Sequence, residues 1–176
     1  MNKIKNHYRL LIALFFFTSV VINAQHEKHD HEQEHEGHAH GSHDYEFGIS
    51  VGMAHLSEED ENAPSAHLHL LKSLGSEGML SKFSLGAGFE YIFTEHTHYS
   101  IVGTISVNPI SAFILDISPG LLFTEHDGES ENQFVTHMEL TYEFEFHGFG
   151  IGPVVGVGFA KEDNHLMAGI HIGKGF

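Results

Sequence analysis

The chain has 176 residues, enough for one domain with appendages, and its 24 acids against 8 Lys and Arg give a formal charge of −16. That balance excludes a nucleic-acid partner, which demands Lys and Arg, and the absence of cysteine excludes a disulfide scaffold and a lipid-anchored lipoprotein. No stretch after residue 24 approaches the ~18 consecutive apolar residues of a spanning helix, so a membrane crossing has to be made by strands.

Residues 1–24 read as a secretory signal: Lys3, Lys5 and Arg9 are the positive start, Leu10 to Val21 the apolar run, and Ile22-Asn23-Ala24 an acceptable cleavage site. The run is short for the ~20 residues of a retained anchor. Its removal takes three cations and no acid, which moves the formal charge from −16 to −19.

Residues 25–44 follow, with seven histidines (His26, His29, His31, His35, His38, His40 and His43) and six acids. Almost nothing in this stretch is apolar, so the expectation is a disordered tail. Imidazole suits zinc, copper and nickel, and carboxylates complete a shell. The composition points to weak binding of a divalent transition metal in many registers, zinc foremost. Lack of Cys and scarcity of Met argue against a copper(I) site. The competing reading is a solvated spacer.

From residue 45 the chain alternates with period two, the mark of strands. Tyr45, Phe47, Ile49, Val51 and Met53 share one face. After the polar run Ser57–Asn62, a second strand spans about 66–74, with Leu68, Leu70 and Leu74 opposite His67, His69 and Leu71. The third sets Phe83, Leu85, Ala87, Phe89, Tyr91 and Phe93 against Lys82, Ser84, Gly86, Gly88 and Glu90. The fourth covers 99–107 and the fifth 112–123. The sixth covers 134–146, with Phe134, Met138, Leu140, Tyr142, Phe144 and Phe146 against His137, Glu139, Glu143 and Glu145. His147-Gly148 reads as a tight turn. Two further strands close the pattern, one on Phe149, Ile151, Pro153, Val155, Val157 and Phe159, the other on Leu166, Ala168, Ile170 and Ile172.

Eight strands of about 9–11 residues suit a tilted crossing of a bilayer. Odd connections are polar and acidic and even ones short with Gly or Pro, the pattern of long outer loops and short periplasmic turns. Both chain ends then lie on the periplasmic side. A soluble calyx with apolar residues inside is the alternative. Against it, the polar face is crowded with glycine (Gly48, Gly52, Gly86, Gly88, Gly150, Gly152, Gly156, Gly158), which suits a narrow lumen. The fold expected for 45–176 is therefore an eight-stranded antiparallel up-and-down transmembrane β-barrel.

By this alternation, the alternating loops and the terminal Phe176 behind Ile170 and Ile172, the segment resembles the small eight-stranded outer-membrane proteins of Gram-negative bacteria. The resemblance implies an outer-membrane location, contact with outer-membrane lipid and recognition of Phe176 by the barrel-assembly machinery. Lys174 departs from the apolar residue more usual there.

An eight-stranded barrel is filled by its own side chains, so a general solute pore is not expected. Glu46, His67, His69, Lys82, Glu90, Asp116, His137, Glu139, Glu143, Glu145 and His171 fall on the inward face. His67 and His69 stand ~6–7 Å apart along one strand and need a third ligand from a neighbour to hold zinc. The polar runs Phe93–His98 and Phe123–Asp127, with Lys161–His165 as a looser echo, are outer loops that place His96, His98 and His126 as weak cation sites. Ser100, His98 and Glu95 are the residues a lipid hydrolase or acyltransferase would use, but no nucleophile motif marks the serine. The functional expectation is an outer-membrane barrel, not an enzyme, whose periplasmic His-rich tail buffers divalent metal and passes it to metal-transport proteins. The alternative is a structural or adhesive barrel with an incidental tail.

Overall fold

A computed structural model describes residues 43–110, 112–126, 129–161 and 164–176. The expected signal, and the tail apart from His43 and Asp44, lie outside the described residues.

Nine strand segments follow one another: β1 Tyr45–Leu56, β2 Glu61–Ser73, β3 Phe83–Ile92, β4 Thr97–Ile110, β5 Phe113–His126, β6 Glu129–Tyr142, β7 Phe144–Phe146, β8 Phe149–Ala160 and β9 His165–Gly175. From β1 to β6, and again from β7 to β9, each pairs antiparallel with its chain neighbours; β6 also pairs with β8, and β1 with β9. Since β7 only continues the wall of β6 past Glu143, the sheet closes into an eight-walled up-and-down barrel without an edge, the one sheet form that leaves no unpaired strand in hydrocarbon. No helix among the described residues is long and apolar enough to cross a membrane.

Side chains alternate as the sequence predicts. Phe47, Val51, Leu85, Phe89, Ile101, Leu121, Phe134, Val155, Phe159 and Ile170 face outward and are exposed, while Ser50, His67, Glu90, Thr104, Asp116, His137 and His171 are buried inside. A barrel that exposes its aromatic and aliphatic residues and buries its ionisable ones is inverted relative to a water-soluble body. The soluble calyx therefore does not describe this chain. Phe176 lies on the outer wall, its ring 6.0 Å from that of Tyr45, with Phe176 N donating to Tyr45 O at 2.9 Å. Lys174 keeps its place on the apolar face by resting its ammonium 4.7 Å from the Phe149 ring.

Four expectations change. The polar run Glu125–Asn132 is largely drawn into β5 and β6, and Ser57–Asn62 gives its last two residues to β2, because each hairpin extends its ladder until a short turn closes it. The connections expected to be long outer loops are four residues or fewer, and the longest lies at the opposite end, 74–82, with a 3-10 turn at Leu80–Lys82. Lys82 leaves the lumen: it sits in that turn, exposed, and donates to Pro109 O at 3.2 Å. Glu145 is also exposed, because the ladder breaks at Glu143 and β7 lies at the rim. The turn at His147-Gly148 forms as expected, with φ of 54° and 76°.

The two barrel ends differ. At the end away from Tyr45 and Phe176, the inward Leu56, Ile92, Leu122 and Val135 are fully buried, and Leu56 and Ile92 pack with Ala54 and Ala63. At the Tyr45 end the lumen opens into a vestibule of about 410 Å³, lined in part by His43, Glu46, Ser84, Glu143 and Gly173.

Candidate metal centre

Six imidazoles occupy the lumen in file. Ring centroids step from His98 to His165 at 6.0 Å, His165 to His137 at 5.2 Å, His137 to His67 at 6.4 Å, His67 to His69 at 5.8 Å and His69 to His171 at 5.3 Å. They come from β2, β4, β6 and β9, and glycine makes room for them. A Cβ on Gly88 would stand 2.7 Å from His67 Nε2, and one on Gly158 would run into the His165 ring.

Five carboxylates, Glu46, Glu90, Asp116, Glu139 and Glu143, share this interior. No Lys or Arg among the described residues is buried in it: Lys72, Lys82, Lys161 and Lys174 are all exposed, and Lys82 and Lys174 reach only the vestibule at its mouth. Buried carboxylates need positive partners. For the deeply buried Glu90, Asp116 and Glu139, protonated imidazole or a bound cation is what can supply the charge among the described residues.

Two groups converge closely enough to hold one ion each: Glu90, His137 and His165, and Glu46, His69 and His171, with ligand atoms in each group within 4.8 Å of one another. In the first, all three residues are at most 3% exposed. Glu90 Oε2 lies 3.2 Å from His137 Nε2 and 3.5 Å from His165 Nε2. Donors ~2.0–2.1 Å from a tetrahedral zinc stand roughly 3.3–3.4 Å apart, so these spacings match edges of such a shell. Glu90 Oε2 and His137 Nε2 have no hydrogen-bond partner despite their proximity, which leaves both available to an ion. The donor set, two imidazoles and one carboxylate, is one zinc accepts readily.

Neighbouring groups fix ring orientation. His67 Nδ1 bonds Glu139 Oε1, and His171 Nδ1 shares a 3.1 Å hydrogen bond with Ser50 Oγ. Holding one ring nitrogen this way presents the other to a ligand, the arrangement seen around metal-bound histidine.

With the barrel and its lumen in view, the fold can be compared with known structures. No family model matches the chain, and no curated protein matches it. Neisserial surface protein A (NspA) superposes with a TM-score of 0.54 at 8% identity, over 75% of this chain and 97% of that one. The attachment invasion locus protein Ail of Yersinia pestis gives 0.49 at 14% identity, over 75% and 99%. The N-terminal β-barrel domain of Pseudomonas aeruginosa OprF gives 0.47 at 11%, over 74% and 97%. At such identities the likeness is one of fold: the small eight-stranded barrel.

Among residues expected to bind metal, His26, His29, His31, His35, His38 and His40 lie outside the described residues. His43 is exposed at the vestibule. His96 is exposed in the β3–β4 connection. Of His126 only the backbone is described, at the end of β5. His67 and His69 face inward as expected but do not share a site, for His67 meets Glu139 while His69 joins Glu46 and His171. His98 is not in a loop; it is the second residue of β4 and 5% exposed. His165, read in sequence as part of a polar loop, opens β9 and is buried. Counting back by twos from His171 through Gly169 and Met167 places it on the inward face, a parity visible in the sequence. Ser100 is fully buried and its hydroxyl has no hydrogen-bond partner, while Glu95 is exposed on a connection, so the lipid-enzyme constellation does not assemble.

Proposed function

We propose that this chain is an outer-membrane barrel that binds a divalent transition metal, zinc foremost, inside its lumen, with Glu90, His137 and His165 as protein ligands. Outer-membrane placement is supported by the inverted barrel and by the fold shared with NspA. The observation that carries metal binding is the convergence of two imidazoles and a carboxylate, all buried, in a lumen where no Lys or Arg among the described residues is buried. The His-rich segment 25–44 acts in this reading as a collecting arm in the periplasm. It joins β1 at Tyr45, the end where the vestibule opens. Metal-transport proteins and the barrel-assembly machinery are the partners this role requires. An adhesive role needs projecting surface at the opposite end, where the connections are four residues or fewer.

The test is cobalt(II) substitution in the detergent-solubilised mature protein. Tetrahedral cobalt(II) with imidazole and carboxylate ligands absorbs strongly in the visible, whereas hydrated six-coordinate cobalt on a flexible tail is nearly colourless. Binding in the lumen yields the intense bands, zinc abolishes them, and H137Q with H165Q removes the component contributed by the Glu90, His137 and His165 group. Absence of such bands from a folded wild-type protein refutes the proposal.

A further inference from the structure

We infer that Glu46, His69 and His171 form a second metal site at the floor of the vestibule, and that ions reach the inner centre only through it, in a lumen closed at its far end. The second half of this inference rests on the inner centre proposed above; the second site stands on its own geometry.

Glu46 belongs to both the vestibule wall and the ligand group, with Oε1 3.7 Å from His69 Nε2. It is partly exposed, while His69 and His171 are buried beneath it. Neither His69 Nε2 nor His171 Nε2 has a hydrogen-bond partner, although each is sealed from solvent. Glu143 Oε2 lies 3.7 Å from His171 Nε2 and also lines the vestibule, a further carboxylate beside the group. A partly open, carboxylate-rimmed group receives an ion from water more readily than a sealed one, because its carboxylates replace the lost hydration stepwise.

From there inward, His67 is the stepping stone. Its ring lies 5.8 Å from that of His69 on one side and 6.4 Å from that of His137 on the other. Glu139 holds its Nδ1, and its Nε2 has no partner. Beyond the inner centre the way is barred by Leu56 and Ile92, both at most 2% exposed. The lumen is thus a blind well with two sites in series.

Cobalt loading of the full mature chain, followed by stopped-flow absorbance, tests this. The wild type is expected to show two tetrahedral components. E46Q and, separately, H171Q should each remove one component and slow filling of the other by tenfold or more, with β-sheet circular dichroism unchanged. H165Q should remove the inner component and leave the outer one loading at the wild-type rate. Since the chain has no cysteine, S84C can be labelled with a bulky thiol reagent at the vestibule and S57C at the far end. The first label should block loading and the second should not. A single component that E46Q leaves intact, or an unblocked labelled S84C, overturns this inference while the inner centre survives. An outer component without an inner one removes the inner centre and the serial route and keeps the vestibule site. Blocking by the S57C label overturns the blind well.

Discussion

His67 on β2 and Glu139 on β6, 72 residues apart in sequence, hydrogen-bond each other across the lumen while both are buried. Their strands lie on opposite walls, so the pair ties the barrel across its diameter. Removing one partner leaves an uncompensated polar group in a sealed interior, at a cost of about 3–5 kcal/mol. E139L alone should therefore lower the urea midpoint of the barrel in detergent strongly. H67L with E139L together should recover much of the loss, and a double mutant as unstable as the sum of the singles would show the pair is not coupled.

Metal occupancy should fall with acidity. An imidazole ligates only when deprotonated, so protons compete with zinc and occupancy falls as pH falls. Zinc retained after desalting is expected to be high at neutral pH and lost as the medium is acidified, with H137Q and H165Q each retaining less than the wild type. Retention that is indifferent to pH would exclude histidine ligation.

Gly158 offers a test of fit. A methyl group there runs into the His165 ring, so G158A should displace that ligand and weaken cobalt binding by tenfold or more with the sheet intact. Gly103 faces outward, and the nearest atom to its added Cβ is the Gly86 carbonyl oxygen at 3.9 Å. G103A should change stability by less than about 0.5 kcal/mol and leave the cobalt spectrum unaltered.

The membrane face is tested by charge. Ile101, in the body of β4, is 54% exposed on the outer wall. I101R should cost about 2–4 kcal/mol in lipid vesicles if that wall faces hydrocarbon. The same substitution at Phe146, beside the rim turn, should cost about 0–1 kcal/mol. Equal, small effects at both positions would place the wall in water.

The tail is tested by itself. Calorimetric titration of a peptide of residues 25–44 should give larger heats with zinc than with calcium, because imidazole favours the softer ion. Equal heats would reduce the segment to a spacer.

The alternation of residues by itself determined the barrel of this chain, its wall count and which face meets lipid. Period-two placement is a local property: once Phe89 points outward, Gly88 and Glu90 point inward whatever the rest of the chain does. Local patterning did not settle where the strands end. Glu61, Glu125 and His165 read as loop residues by polarity, yet each is held in a ladder by a partner strand.

Only the tertiary structure decided the ligand groups. Shear across a tilted barrel sets which inward residues of distant strands share a height, and that offset is a property of the closed sheet rather than of any one strand. So His67 and His69, neighbours in sequence, part company, one to Glu139 and the other to His171. Glu90, His137 and His165, from three separate strands, meet at one point.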